Sequence, residues 1–198
     1  MALKYAVNNS LSAITSLPSS ISGGALNLIS TQTASSSASL EFSMDSTYDS
    51  YVFKFINLHP SNDSVKLKFQ GSTNNGSSYG VTMTTTFFRA AQDESATTDF
   101  GYKTNDDLAQ STSNQTLVGT IGNANDESCS GYLQIFLPSS TTFVKHYISR
   151  VHGYTNNNYA IDDFSAGYFN TTSAITNLKF LFESGNIDDG IIKMYGVS

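Results

Sequence analysis

The sequence predicts an all-β protein, a jelly-roll-like antiparallel β-sandwich with an extended N-terminal arm. Three observations predict this class: apolar and polar residues alternate with period two from Leu40 onward, turn-forming residues recur at short intervals, and no segment keeps a helical period. Short strands without helices between them argue against the α/β class. A barrel is the alternative architecture that these patterns leave open.

The first 38 residues differ from the rest of the chain. They hold a single charged residue, Lys4, and their apolar residues keep no sustained period around Pro18 and Gly23-Gly24. Proline interrupts a helix, and the apolar content is too high for a free linker. We therefore expect an extended N-terminal arm over 1–38, which lies against its own domain or a neighbouring subunit, and a β-sandwich domain over 39–198.

Alternation is clearest in the segment 65–70, where Val65, Leu67 and Phe69 alternate with two lysines and a glutamine. One face of this strand is expected in the core and the other in solvent. The polar segment 90–114 predicts a long loop that serves as an interaction surface. Strands are predicted over 40–44, 51–58, 65–70, 81–89, 115–121, 132–137, 143–151, 163–169, 175–182 and 191–197.

Composition excludes some classes of function. Of 198 residues, 13% are charged and ten are basic, and the formal net charge is −6. An acidic chain without a basic cluster has no electrostatic footprint for nucleic acid and no polybasic segment for anionic lipid. Hydroxyl and amide side chains take the place of charged ones. Such surfaces are desolvated at low cost and suit subunits that pack into assemblies.

No residue pattern predicts a catalytic group, a cofactor or a metal site, and we expect a non-enzymatic protein. His146 and His152 stand about 20 Å apart along a strand, too far to share a metal ion. Neighbouring carboxylates such as Asp162-Asp163 point to opposite faces of a strand and do not form an acid–base couple. The turn 188–190 (DDG) is a plain hairpin turn or, alternatively, a calcium-binding turn.

Two further features concern the compartment. Cys129 is the single cysteine, so no intrachain disulfide is expected, and we interpret it as a small half-buried residue beside a turn. Residues 1–5 lack the basic start and the apolar core of a signal peptide. We therefore expect the protein to be made and folded in a cytoplasm.

Four tyrosines lie in or beside predicted loops: Tyr79, Tyr102, Tyr154 and Tyr159. Aromatic side chains with a polar tip are used by sugar-binding sites and by protein interfaces. We therefore treat these tyrosines as a candidate ligand or partner surface on the loops 71–80, 90–114 and 153–163. Ordinary packing of the loops onto the sandwich is the alternative.

Several stretches of the chain resemble virion structural proteins of marine tailed phages. Segments 51–60 (YVFKFINLHP), 65–72 (VKLKFQGS) and 76–79 (GSSY) resemble an opening of the form Y-x-F-x-F-x-N, then L-x-F-x-x-S, then a Gly-Ser-x-Tyr turn. Segment 131–138 (GYLQIFLP) is similar to a G-x-L-x-I-x-x-P strand of these proteins. Segment 185–197 (GNIDDGIIKMYGV) is similar to their closing G-x-I-x-x-G-x-I-x-L-Y-G-I pattern.

The resemblance covers about residues 39–198 and implies a jelly-roll-like sandwich in a phage particle, made in the host cytoplasm. The implied roles are capsid decoration and head or tail appendage, with other virion proteins and further copies of the chain as partners. A glycan-binding adhesin or a tail-fibre module that recognises a host glycan is the alternative. The resemblance carries over no catalytic residue, and its motif positions correspond to core and turn residues: Phe53, Phe55, Leu67, Phe69, Ile135, Ile192 and Tyr195.

Overall fold

The computed structural model describes residues 26–198, which form twelve β-strands and no helix. In this part of the chain there is accordingly no helix long and apolar enough to cross a membrane. The strands are β1 (Asn27–Thr33), β2 (Leu40–Ser43), β3 (Ser50–Pro60), β4 (Val65–Ser72), β5 (Met83–Asp93), β6 (Thr98–Tyr102), β7 (Gln115–Ile121), β8 (Cys129–Phe136), β9 (Lys145–Tyr154), β10 (Tyr159–Phe169), β11 (Asn177–Phe182) and β12 (Ile187–Val197).

The strands form two antiparallel sheets that pack face to face as a sandwich. The larger sheet has eight strands in the order β1-β12-β3-β8-β9-β10-β5-β6, and the smaller has four in the order β2-β11-β4-β7. Most connections between successive strands cross from one sheet to the other, whereas β5-β6 and β8-β9-β10 are hairpins within the larger sheet. The predicted all-β, antiparallel sandwich class is confirmed.

Aromatic side chains from both sheets fill the core. The ring of Phe180 in β11 lies 5.2 Å from those of Phe53 and Phe55 in β3, and the ring of Phe69 in β4 lies 4.9 Å from that of Tyr147 in β9. All five side chains are buried. Tilted and edge-to-face contacts of this kind add to the free energy gained by removing apolar surface from water.

Strand β4 follows the predicted alternation at its apolar positions and departs from it at Gln70. The sequence places Gln70 on the solvent side, but this side chain is fully buried. Its amide donates hydrogen bonds to the carbonyls of Thr112 and Ser113, and its carbonyl oxygen accepts one from the N–H of Gly71. These bonds satisfy the polar groups that burial removes from water.

The segment 90–114 contains more regular structure than the predicted loop. Strand β5 continues to Asp93, and β6 pairs with it from Thr98 to Tyr102. The Asp93 carboxylate accepts hydrogen bonds from the N–H groups of Ser95 and Thr97 and so stabilises the turn between the strands. The loop prediction is therefore wrong for residues 90–93 and 98–102.

Strand β1 falls within the segment that the sequence interprets as an arm. It pairs with β12 at the edge of the larger sheet, and Ala34, just after it, is buried and donates its N–H to the carbonyl of Gly190. Residues 27–33 thus lie against their own domain. Residues 1–25 of the predicted arm lie outside the described residues.

Candidate interaction surface

Within residues 26–198, one face of the larger sheet packs on the smaller sheet and the opposite face is turned to solvent; we call it the outer face. Large apolar side chains are concentrated there. Of the twelve exposed large hydrophobic residues in this part of the chain, eight lie on it: Leu28, Ile56, Phe88, Phe100, Tyr102, Tyr132, Phe136 and Ile148. Large apolar side chains gathered on one exposed face are a feature of interaction sites.

A single row of side chains crosses the outer face, one from each of the eight strands. Strand register places each of them opposite the next, where side chains are neighbours at about 5 Å, and the row spans about 34 Å. We call this set the outer row; in sheet order it is Thr31, Lys193, Lys54, Tyr132, Arg150, Phe164, Phe88 and Tyr102.

One half of the outer row is aromatic. The rings of Phe164 and Phe88 stack with centroids 4.7 Å apart and planes 5° from parallel, and Phe100 meets Phe88 edge to face at 6.4 Å. The Arg150 guanidinium lies 4.8 Å from the centre of the Phe164 ring and also binds Asp162 through two nitrogens. Stacking and ion pairing hold this half in one geometry before any partner binds.

The other half of the outer row is cationic. Lys193 and Lys54 are directly opposite each other on β12 and β3, and Lys54 Nζ lies 5.3 Å from the centre of the Tyr195 ring. Neither lysine forms a salt bridge with any residue from 26 to 198, whereas five other basic residues in that range do. Like charges directly opposite on a sheet are destabilising, so this pair weakens the isolated fold.

Acidic side chains flank the aromatic half. Asp107 accepts a hydrogen bond of 2.5 Å from the Tyr102 hydroxyl, and Glu94 lies beside Tyr154 at the end of β5, with the Tyr154 hydroxyl 3.5 Å from Glu94 Oε1. Asp162, which is paired with Arg150, adds a third carboxylate on this side. Two lysines without a salt bridge among residues 26–198 therefore lie on β12 and β3, carboxylates lie beside β10, β5 and β6, and the start of β12 also carries Asp188 and Asp189.

The carboxylates of Asp162 and Asp163 point to opposite faces of β10, as the sequence predicts. Asp163 is fully buried on the inner side, where it binds Arg89 Nε at 2.7 Å and Nη2 at 2.6 Å and accepts a bond from the N–H of Gly119 at 3.0 Å. Burial raises the pKa of the Asp163 carboxyl, while the Arg89 guanidinium acts in the opposite direction. The two carboxylates belong to separate ion pairs, one structural and one on the surface.

The structure separates the four predicted tyrosines instead of joining them in one surface. Tyr102 and Tyr154 lie on the outer face, and Tyr159 on β10 points to the inner side beside the core. Tyr79 lies against the smaller sheet, where its hydroxyl donates to Glu41 and Lys179 Nζ stands 4.3 Å from the centre of its ring. Only Tyr102 belongs to the outer row.

The remaining candidates have structural contacts. Cys129 is fully buried and not half-buried as the sequence suggests; burial raises the pKa of its thiol, and its Sγ lies 3.6 Å from the carbonyl of Leu58. The prediction of a turn at 188–190 is wrong, because these residues lie within β12, where Asp188 accepts a bond from the Ser36 hydroxyl and Asp189 accepts one from the N–H of Gly190. His146 and His152 are both exposed on the outer face. Residues 26–198 contain no cluster of three or more His, Cys, Asp or Glu side chains suited to a metal ion.

No protein-family model and no curated protein matches the chain.

Of the eight residues in the outer row, only Tyr102 is among the site residues that the sequence predicts. A usable signal was present in β5, β9 and β10, where apolar residues occur on both faces: Phe87 is followed by Phe88, and Tyr147 by Ile148. A strand with apolar side chains on both faces has two surfaces to cover. Periodicity does not reveal, however, that these strands are neighbours in one sheet.

Proposed function

We propose that the protein is a non-enzymatic structural subunit of a phage virion that assembles through its sandwich surface and its N-terminal segment. The observation that carries this proposal is the outer face, on which aromatic side chains are exposed in a fixed, stacked arrangement. Such a surface has the aromatic and arginine content of a protein interface rather than of a reaction centre. The resemblance of residues 39–198 to tailed-phage virion proteins agrees with it.

The edge of the sheet at β1 supports the same proposal. Leu26, Leu28 and Ile29 are 39%, 56% and 41% exposed, and they follow directly after the nearly uncharged segment 1–25. An edge strand with free backbone groups and exposed apolar side chains is a template for pairing with another chain. In the proposed assembly, this edge and the N-terminal segment attach the subunit to its neighbours in the particle.

Immunogold electron microscopy tests the assignment to a virion. Antibody raised against the purified chain should label intact particles released by the organism that carries the gene, and pre-immune serum should not. Label confined to the soluble fraction, with bare particles beside it, would contradict the proposal.

Light scattering after size exclusion tests the proposed mode of attachment. The full chain should form a larger species than a chain that starts at residue 26, because the second lacks the N-terminal segment and keeps all twelve strands. Equal masses for the two chains would show that residues 1–25 contribute nothing to self-assembly.

A further inference from the structure

The charge polarity of the outer row makes this face complementary to itself. Lys193 and Lys54 occupy one end, and the stacked rings of Phe164 and Phe88, with acidic neighbours, occupy the other. The faces of the Phe164 ring are covered by Phe88 and by the Arg150 guanidinium, so the carboxylates beside the aromatic half, such as Asp107 next to Tyr102, are the groups that would attract a cation. If the row of a second copy ran in the opposite direction, each lysine would meet an aromatic side chain.

We propose that two copies of this chain pair outer face to outer face about a two-fold axis that runs parallel to the strands between β8 and β9. The inference rests on the proposed function as an assembling subunit and names its partner as a second copy. A two-fold interface uses the same patch on both subunits. This axis sets Tyr132 against Arg150 of the second copy, Lys54 against its Phe164, Lys193 against its Phe88, and Thr31 against its Tyr102.

The other two-fold arrangement is disfavoured by charge. An axis that runs along the row would set Lys54 and Lys193 against the same two lysines of the second copy. Neither lysine has an acidic partner among residues 26–198 that could offset this repulsion. With the axis parallel to the strands, the two lysines stay next to each other within each sheet, but both face the aromatic half of the second copy and its neighbouring carboxylates instead of two further lysines.

The area of the outer face is sufficient for a stable dimer. Eight strands at their usual spacing, each about eight residues long, present a surface of roughly 900 Å². Stable interfaces bury about 800 Å² on each partner. Two sheets that pack face to face keep their strands within about 30° of each other, which an axis parallel to the strands allows.

Charge reversal tests the contribution of the lysines. In the full chain, K54E/K193E should weaken dimerisation at least about tenfold, as measured by light scattering over a dilution series, because glutamates would face the acidic, aromatic end of the second copy. K179E is the matched control, since Lys179 lies on the smaller sheet. Unchanged dimerisation in K54E/K193E, or an equal loss in K179E, would overturn the proposal.

Chemical crosslinking tests the direction of the row. Full chains carrying T31C and full chains carrying Y102C should crosslink with a short bismaleimide when they are mixed, and neither should crosslink alone. The native Cys129 is 1% exposed and does not compete for the reagent. Crosslinking of T31C chains with one another would place the axis along the row and overturn the inference.

These outcomes separate the pairing from the virion assignment. A chain that labels phage particles but stays monomeric, or stays associated in K54E/K193E, retains the proposed function and overturns the face-to-face pairing. Particles without label overturn the virion assignment whatever the oligomeric state of the purified chain.

Discussion

At the scale of single residues, the neighbouring acidic side chains of Asp162 and Asp163 contribute differently to the stability of the fold, because the strand turns them to opposite faces. Asp163 is fully buried and its partner Arg89 is 15% exposed, whereas Asp162 and its partner Arg150 are 24% and 55% exposed. An ion pair in water contributes little to stability. A buried charge that loses its partner is left uncompensated, and this is strongly destabilising.

Asn substitution at these two positions should therefore have unequal effects. D163N should lower the free energy of unfolding by about 3–5 kcal/mol, because Arg89 would stay buried without its counter-charge. D162N should cost about 0–1 kcal/mol. Urea unfolding followed by intrinsic tyrosine fluorescence measures both values, and equal losses would mean that the buried pair is not an energetic feature of the fold.

Buried tyrosines predict a loss of stability at alkaline pH. Burial and a hydrogen bond to Asp45 raise the pKa of Tyr51 to about 12, and burial also raises the pKa of Tyr147. A tyrosine in the unfolded chain has a pKa of about 10. The two hydroxyls therefore stay protonated to a higher pH in the folded chain than in the unfolded chain. Their contribution to the free energy of unfolding is complete below about pH 10 and is lost as the pH rises toward 12.

Urea midpoints between about pH 8 and pH 11.5, together with tyrosinate absorbance, measure this effect. The loss on the alkaline side should be smaller in Y51F, which has no hydroxyl to ionise. Titration of every tyrosine in the folded protein at about pH 10 would contradict the prediction.

At the scale of elements, the structure follows the sequence where a strand carries core-facing apolar residues. β7 (Gln115–Ile121) has the bounds that the sequence predicts, although it is an edge strand of the smaller sheet. β1 and β6 were missed because neither carries a row of core-facing apolar residues. The outer row could not be predicted, since it depends on strand order and register across eight strands.

The bulge between β12 and β3 gives a prediction at this scale. Gly190 has φ +114°, and a Cβ there would lie 2.5 Å from the carbonyl oxygen of Asn57. G190A should therefore lower the free energy of unfolding by more than the roughly 1–3 kcal/mol that backbone strain alone costs. The matched control is G101A in β6, where a Cβ meets nothing within 4 Å. Urea unfolding should find G101A near the wild-type value, and a loss in G101A equal to that in G190A would refute the steric explanation.

At the scale of the whole molecule, the two sheets are unequal in size. Four strands cover one side of an eight-stranded sheet, so the outer face stays uncovered in the single chain, and the edges of the larger sheet are β1 and β6. β1 and the residues that follow it cover the edge of β12. Beyond the β1–β12 ladder, Ala34 and Ser36 donate to the carbonyls of Gly190 and Asp188, and Ser37 forms a bridge with Ile187. The end of the segment that the sequence interprets as an arm is therefore part of the fold.

Two shortened chains separate attachment from folding. A chain that starts at residue 26 keeps β1 and should unfold at the same urea concentration as the full chain. A chain that starts at residue 39 loses β1, and its free energy of unfolding should fall by on the order of 2–4 kcal/mol, since each lost backbone hydrogen bond contributes about 1 kcal/mol and the entropy of ordering β1 offsets part of the total. The exposed edge of β12 should also promote aggregation, which light scattering would detect.

If the shorter chain were as stable and as monomeric as the longer one, β1 would be an attachment element that only rests on the sheet. If it were destabilised, β1 would be a strand of the domain, and attachment would use its free outer edge together with residues 1–25 and the outer face.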